Sequence, residues 1–186
     1  DVCSSDRQET ERSLLEKYLH QETTLGNFIS PTQHKVFYRS TGGLYWKLFT
    51  DFSPRFNING KQGTSSRETY FPLRNEKYIE SVIASLSSSA FWWWYTITST
   101  LRDMNPYDIQ NFPLPISAVE SSNLRELGRE YVKDIQGNSA MLIRFQKQTG
   151  QTETQSFKIQ KSKRIIDEID HALASHYGFT DEEVDF

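Results

Sequence analysis

An unbroken aromatic run from Phe91 to Tyr95 lies near the end of a long helical pattern, and it constrains the fold more than any other feature. Apolar residues between about Asn75 and Thr100 recur at steps of three and four, which predicts one long helix with a buried stripe. Neighbouring helical positions point in different directions, so the five rings cannot all lie on that stripe. The pattern therefore predicts a helix that packs on more than one side. Stacking of some rings on unpaired bases and contact with a partner domain stay open as alternatives.

The segments that precede this helix are typical of an antiparallel sheet. Alternating, aromatic-rich stretches predict strands at Val36–Arg39, Tyr45–Thr50 and Glu68–Leu73, with Gly42-Gly43 as the turn between the first two. Because the periodicity becomes helical at Asn75, we expect the sheet to pack on the long helix. The predicted class is α+β, a twisted antiparallel sheet packed on a long helix, with additional C-terminal helices.

The second half of the chain is predicted to be mainly helical. Helices are expected at Ser121–Ile135 and Arg164–Ser175, and a polar linker followed by a strand at Thr152–Ile159 is expected between them. We therefore divide the chain into a core, residues 1–115, and a helical C-terminal appendage packed on it, residues 116–186.

Composition excludes several kinds of protein. The chain has 186 residues, a formal net charge of −3 and a single cysteine, Cys3. One cysteine rules out an internal disulfide and a cysteine-based metal cluster, and it fits a reducing cytoplasm. No apolar run reaches the roughly 18 residues of a membrane span. Because the sequence starts at Asp1 without a methionine, we expect it to be a piece of a longer protein.

Positive charge is concentrated in the middle of the chain. Residues 34–115 carry nine basic and six acidic side chains, net +3, whereas the flanking segments are each net −3. The polar loop from Pro54 to Arg67, with a short strand expected at Phe56–Ile58, contains three cations and no anion. Arg and Lys suit guanine, and Asn and Gln suit adenine, so this loop is the best candidate for DNA contact. The same composition also fits an ordinary solvated loop.

No catalytic, cofactor-binding or metal-binding set is predicted. Asn105-Pro106-Tyr107 resembles part of the Asn-Pro-Pro-Tyr motif of amino-methyltransferases. One proline is missing, however, and a helix start capped by Asn105 explains the three residues. No Gly-rich loop follows a strand in a βαβ unit, so there is no sign of an S-adenosylmethionine site. The four histidines lack the spacing of a metal site.

Several segments, taken in chain order, resemble the C-terminal target-recognition region of bacterial adenine-N6 DNA methyltransferases, above all those of type II (type IIG-like) restriction–modification systems. The resemblance rests on residues 42–52, 66–69, 83–86 with 91–95, 102–106 with 112–115, and 165–170 with 176–183. In such proteins the N-terminal domain binds S-adenosylmethionine and carries catalysis, and the C-terminal region holds the duplex and chooses the sequence.

The resemblance implies a sequence-specific DNA-recognition module that is not itself an enzyme. S-adenosylmethionine would bind a catalytic methyltransferase domain of the same polypeptide, in a segment that this chain lacks. The partners would be that domain and double-stranded DNA, in a bacterial cytoplasm, and the parent protein would methylate adenine with or without restriction activity. The DNA-binding face is expected to carry Arg39, Lys47, Arg55, Asn57, Asn59, Lys61, Gln62 and Arg67.

Two rival hypotheses are kept. A docking module of a nuclease complex would show a large exposed aromatic patch and no salt-dependent DNA binding. A free-standing enzyme would show a pocket with perturbed ionisable groups.

Overall fold

An α+β architecture with two antiparallel sheets is seen in the computed structural model, which describes residues 2–41, 48–148 and 150–185. This confirms the predicted fold class. The helices are α1 (Val2–Leu19), α2 (Ile79–Leu86), α3 (Ser89–Thr98), α4 (Pro106–Gln110), α5 (Ile116–Val119), α6 (Ser122–Gly137), α7 (Lys163–Tyr177) and α8 (Asp181–Val184). The strands are β1 (Lys35–Arg39), β2 (Phe49–Thr50), β3 (Phe56–Ile58), β4 (Lys61–Gln62), β5 (Glu68–Pro72), β6 (Ala140–Gln146) and β7 (Gly150–Ser156).

The first sheet has the order β2-β1-β5, and its strands are antiparallel. Its inner face is buried in the hydrophobic core through Val36, Tyr38, Phe49 and Phe71. Side chains alternate along a strand, so Phe37 and Arg39 of β1 lie on the opposite, outer face.

The expected strands of this sheet are largely present. Those predicted at Val36–Arg39 and Glu68–Leu73 are confirmed as β1 and β5. Of the strand predicted at Tyr45–Thr50, the structure shows Phe49–Thr50. The predicted Gly42-Gly43 turn lies outside the described residues.

The helix predicted from Asn75 to Thr100 is divided into α2 and α3. The division falls at Ser87 and Ser88, between the two helical segments. The Ser88 hydroxyl donates to the Ser85 carbonyl at 2.5 Å and accepts from the Phe91 backbone N–H at 3.1 Å. A serine that bonds to nearby backbone groups competes with the helical ladder and favours a cap, so one helix ends here and the next begins.

The aromatic run packs in two directions from α3. The Phe91 ring lies edge-on to Phe49 of the first sheet, with centroids 5.6 Å apart. The Trp93 and Trp94 rings lie 5.5 Å and 5.4 Å from Tyr18 of α1. The prediction that this helix packs on more than one side is therefore confirmed.

Helices α2 and α6 approach each other closely. A Cβ atom placed on Gly128 of α6 would lie only 1.9 Å from the backbone oxygen of Glu80. Ser81 and Ser85 on α2 are fully buried, and the Ser81 hydroxyl donates to the Val119 carbonyl at 2.6 Å. Helices α6 and α7 contribute to the same hydrophobic cluster as β1 and α2, so residues 116–186 share one core with residues 1–115.

The second sheet, with the order β4-β3-β7-β6, joins the polar loop of residues 53–66 to residues 140–156. The polar linker predicted after Ile135 is wrong, because Ala140–Gln146 forms strand β6. The strand predicted at Thr152–Ile159 lies instead at Gly150–Ser156. The C-terminal segment therefore adds a β-hairpin to its helices.

Asn59 and Gly60 form the two-residue turn between β3 and β4, with φ angles of 50° and 76°. Positive φ at both central residues is the requirement of a type I′ turn, and Asn-Gly is its preferred sequence. The Asn59 side-chain oxygen accepts from the Gln151 backbone N–H at 2.9 Å, which ties this turn to β7. The expected polar loop is therefore largely a hairpin.

Candidate nucleic-acid interface

A cleft of about 400 Å³ lies between the two sheets. One wall is the outer face of the first sheet, with Phe37 and Arg39. The other wall is the β6–β7 side of the second sheet, with Leu142 and Arg144 of β6. The arrangement brings together residues that are about one hundred positions apart in the chain.

Three arginines from separate segments meet at this cleft, namely Arg39 at the end of β1, Arg67 just before β5 and Arg144 on β6. Arg67 and Arg144 are exposed, and Arg39 is half-buried. Among the described lining residues, Glu68 is the only acidic one. The cleft therefore has a local excess of positive charge in a chain whose net charge is −3.

The cleft arginines are not neutralised by neighbouring carboxylates. In the described part of the chain, no carboxylate oxygen lies within 4.0 Å of any of these three guanidinium groups. The arginines that do form salt bridges are Arg7, Arg12, Arg102, Arg129 and Arg164. Unpaired guanidinium groups at a concave surface suit a phosphate or another oxyanion.

Two buried polar atoms of the cleft residues lack hydrogen-bond partners. They are the Nε of Arg39 and the Oγ1 of Thr41, and neither has a partner among the residues described. A buried polar group without a partner is uncommon and costs about 1–3 kcal/mol. A ligand that brings acceptor oxygens to this wall would offset that cost.

Glu68 lies directly opposite Arg39 in the register of β1 and β5. Burial raises the pKa of the Glu68 carboxyl, and the positive charge of Arg39 opposes part of this shift. Directly opposed residues of an antiparallel pair have Cβ atoms about 5 Å apart, but no Glu68 oxygen lies within 4.0 Å of the Arg39 guanidinium. The pair leaves the Arg39 guanidinium available to a second anionic group.

The sequence-predicted residues fall into separate groups. Arg39 and Arg67 line the cleft, whereas Lys47 lies outside the described residues. Lys61 and Gln62 are exposed on β4, at the edge of the second sheet.

Asn57 and Asn59 are engaged within the second sheet. The Asn57 amide donates to Oε2 of Glu153 on β7 at 2.9 Å. Asn59 holds the β3–β4 turn against Gln151. Arg55 is exposed, and its backbone N–H donates to the Gln155 side chain at 3.0 Å, just before β3 begins.

Sequence reasoning missed Arg144. It assigned this residue to a polar linker, although residues 140–146 hold the β-favouring series Met141, Leu142, Ile143 and Phe145. That series, followed by a turn and an alternating segment, is the pattern of a hairpin and could have identified β6.

The Asn105-Pro106-Tyr107 segment begins α4, as the sequence predicts. Pro106 is the first helical residue, and the Asp108 carboxylate accepts from the Asn105 backbone N–H at 2.7 Å. This hydrogen bond satisfies a free N–H at the start of the helix.

Strand β6 is an edge strand with an exposed apolar face. Met141, Ile143 and Phe145 share one face by alternation, and Phe145 is 82% exposed. An open strand edge with exposed apolar side chains is a surface on which another strand can pair.

In comparisons with known proteins, no family model, curated protein or solved structure matches the chain. Across the described residues, no helix has both the length and the apolar character needed to cross a membrane. No group of three or more His, Cys, Asp or Glu residues that could hold a metal ion is found within the same ranges.

Proposed function

We propose that this protein is a sequence-specific DNA-recognition module of an adenine-N6 DNA methyltransferase or restriction enzyme, and that it positions duplex DNA for a catalytic domain of the same polypeptide. The observation that carries the proposal is the convergence of Arg39, Arg67 and Arg144 on one cleft. The resemblance of several segments to target-recognition regions supplies the enzyme class.

Phosphate contacts supply most of the affinity of a DNA-binding protein, and they require local rather than overall positive charge. The acidic side chains of this chain outnumber its basic ones, 24 to 21, so bulk attraction cannot hold DNA here. The three cleft arginines form a positive surface within that acidic chain, and each is free of carboxylate partners among the described residues. We assign phosphate contact to this group.

Base reading is assigned to the exposed edge of the second sheet. Lys61 and Gln62 are exposed on β4, so their side chains are free to reach base edges in a groove. Asn57 and Asn59 are less suited to reading, because their amides already bond within the sheet. Arg55 is exposed next to the same strands and joins the readers or the phosphate contacts.

Selection of bound duplexes from a randomised library tests the recognition step. The protein should enrich one short sequence, and Gln62→Ala should weaken that site by about 1–3 kcal/mol while leaving scrambled DNA unaffected. Arg12→Ala is the matched control, because Arg12 is 81% exposed on α1 and pairs with Glu16. A library that emerges unenriched, with no measurable duplex binding, would contradict the proposal.

A second candidate function, a docking module without DNA contact, is favoured by the exposed apolar face of β6. A partner strand could extend the second sheet along this edge through main-chain hydrogen bonds. Duplex binding separates the two candidates. The docking function predicts no salt-dependent DNA affinity, and it predicts that Phe145→Asp weakens assembly of the nuclease complex while Gln62→Ala has no effect on it.

A further inference from the structure

The cleft between the sheets has the dimensions of a small-molecule site. Its volume of about 400 Å³ lies within the range of roughly 300–1,000 Å³ that is usual for ligand pockets. A DNA duplex is far too wide to enter such a space, since its major groove alone measures about 12 Å across. A duplex could contact the rim of the cleft, and the volume of the cleft suits a small molecule such as a single nucleotide.

We infer that the cleft binds a single nucleotide unit, with the phosphate at the arginines and the base against the apolar wall. One source of that unit is a nucleotide displaced from a duplex, and for this source the inference rests on the proposed function. A free nucleotide has the same chemistry and is the other source. The two sources are separated by the experiment below.

The cationic part of the cleft suits the phosphate. Arg67 and Arg144 are exposed at the cleft and come from opposite walls, so we place the phosphate between them. Arg39 and Thr41 add the two buried polar atoms that lack partners in the described part of the chain. Guanidinium groups contact phosphate oxygens with paired N–H donors, which fixes the orientation of the phosphate.

The apolar part of the cleft suits a base. Phe37 and Phe157 both line it, together with Leu48 and Leu142. Phe157 is only partly buried and is held by Phe52, whose ring centroid lies 6.2 Å away. Aromatic side chains bind bases by stacking, and this interaction accepts every base because each has a π-face. An inorganic anion would leave this wall unused.

The affinity of the protein for nucleotides and for phosphate alone tests the inference. The ligands are inorganic phosphate, the four deoxynucleoside monophosphates, and two duplexes that differ by one unpaired nucleotide, all titrated by calorimetry. At least one monophosphate should bind 10-fold or more tightly than inorganic phosphate. Arg144→Ala should weaken phosphate and monophosphate by similar factors, whereas Phe157→Leu should reduce only the advantage of the monophosphate.

Phe179→Leu is the matched control for Phe157→Leu, because Phe179 is also partly buried but packs on Tyr177, away from the cleft. If the duplex with an unpaired nucleotide binds more tightly than the paired duplex, DNA is the source of the nucleotide. If the two duplexes bind equally and a monophosphate binds tightly, the source is a free nucleotide. Monophosphates that bind no better than inorganic phosphate overturn the inference. If the inference is overturned in this way, salt-dependent duplex binding would still leave the proposed function standing. Tight monophosphate binding without any duplex binding would instead overturn the proposed function and leave the inference standing.

Discussion

The helix-packed face of the first sheet and the open second sheet differ in how they are stabilised. In the first sheet, Val36 of β1 is fully buried in the shared hydrophobic core. In the second sheet, Ile143 and Phe145 of β6 remain 66% and 82% exposed. The second sheet therefore depends on strand pairing and on side-chain bonds such as that between Asn57 and Glu153.

This difference separates the residues that stabilise the fold from those that can bind. Burial of apolar surface contributes most of the free energy of folding, so changes on the helical side should lower stability. Arg67 and Arg144 of the cleft and the β4 side chains are exposed. Their replacement should change binding with little effect on stability.

The largest stability effect is expected for Trp94→Ala. The Trp94 side chain is 8% exposed and packs on Tyr18, so its removal leaves a large cavity and should cost about 3–5 kcal/mol. Phe145→Ala, in the open sheet, should change the free energy of unfolding by less than about 0.5 kcal/mol. Urea unfolding measures both. An unchanged unfolding curve for Trp94→Ala, with loss of DNA binding, would reverse the role assigned to this ring.

A smaller loss is expected for Gly128→Ala at the contact of α2 and α6. The new methyl group would overlap the Glu80 carbonyl, so the helices must separate, at a cost of about 2–3 kcal/mol. Gly137→Ala on the same helix is the control, because a Cβ there meets nothing within 4 Å. It should be neutral or stabilising by up to about 1 kcal/mol, as usual for replacement of a helical glycine. Equal melting temperatures for the two variants would mean that the close helix contact is not present.

In the open sheet, Asn59→Ala should loosen the β3–β4 hairpin locally. It removes the bond to Gln151 and places alanine at a φ of 50°, together worth about 1–2 kcal/mol. Hydrogen exchange of the Gln151 amide should accelerate roughly 10-fold, which corresponds to about 1.4 kcal/mol. Asn59→Gly keeps the backbone conformation and should give a smaller increase. If neither variant changes the exchange rate, the turn does not hold β7.

A stability effect confined to acidic pH concerns the titration of Asp170. Burial raises the pKa of this α7 carboxyl to about 6. The hydrogen bond that the carboxylate accepts from the Ser89 backbone N–H, at 2.7 Å, opposes part of this shift. Since this value lies above the unfolded pKa of about 4, the folded state binds more protons between these values, and Asp170 makes the protein less stable as the pH rises from 4 to 6.

Asp170→Asn stays neutral and should remove this dependence. The free energy of unfolding of the wild type, minus that of the variant, should fall by about 2 kcal/mol between pH 4 and 6.5. Paired denaturant titrations at several pH values measure this difference. A difference that stays flat or rises with pH would refute the assignment.

Local signals in the sequence predict the helical part well. Gly178 follows α7 with a φ of 71°, and glycine at this position is a common local signal for the end of a helix. Thr180 and Glu183 have the spacing of a capping box, and the Thr180 hydroxyl accepts from the Glu183 backbone N–H at the start of α8. These features depend on neighbouring residues, so a short window of sequence contains the information that determines them.

Long-range pairing could not be predicted in the same way. Strand β3 pairs with β7 across about one hundred residues, and nothing near Phe56 identifies residues 150–156 as its partner. The position of Arg144 at the cleft is therefore seen only in the three-dimensional structure. The break at Ser88 is not predicted because the nearest apolar residues before and after the serines, Leu86 and Ala90, continue the helical spacing.

Salt dependence of duplex binding tests the central claim that the cleft arginines hold DNA phosphates. The double variant Arg67→Ala/Arg144→Ala lacks two exposed cations on opposite walls of the cleft. The slope of the logarithm of the duplex association constant against the logarithm of the salt concentration should therefore decrease in magnitude by about two. Arg12→Ala should leave both slope and affinity unchanged. The unfolding curve of the double variant should match that of the wild type. A correctly folded double variant with wild-type affinity and slope would contradict the account and place the DNA-binding surface elsewhere.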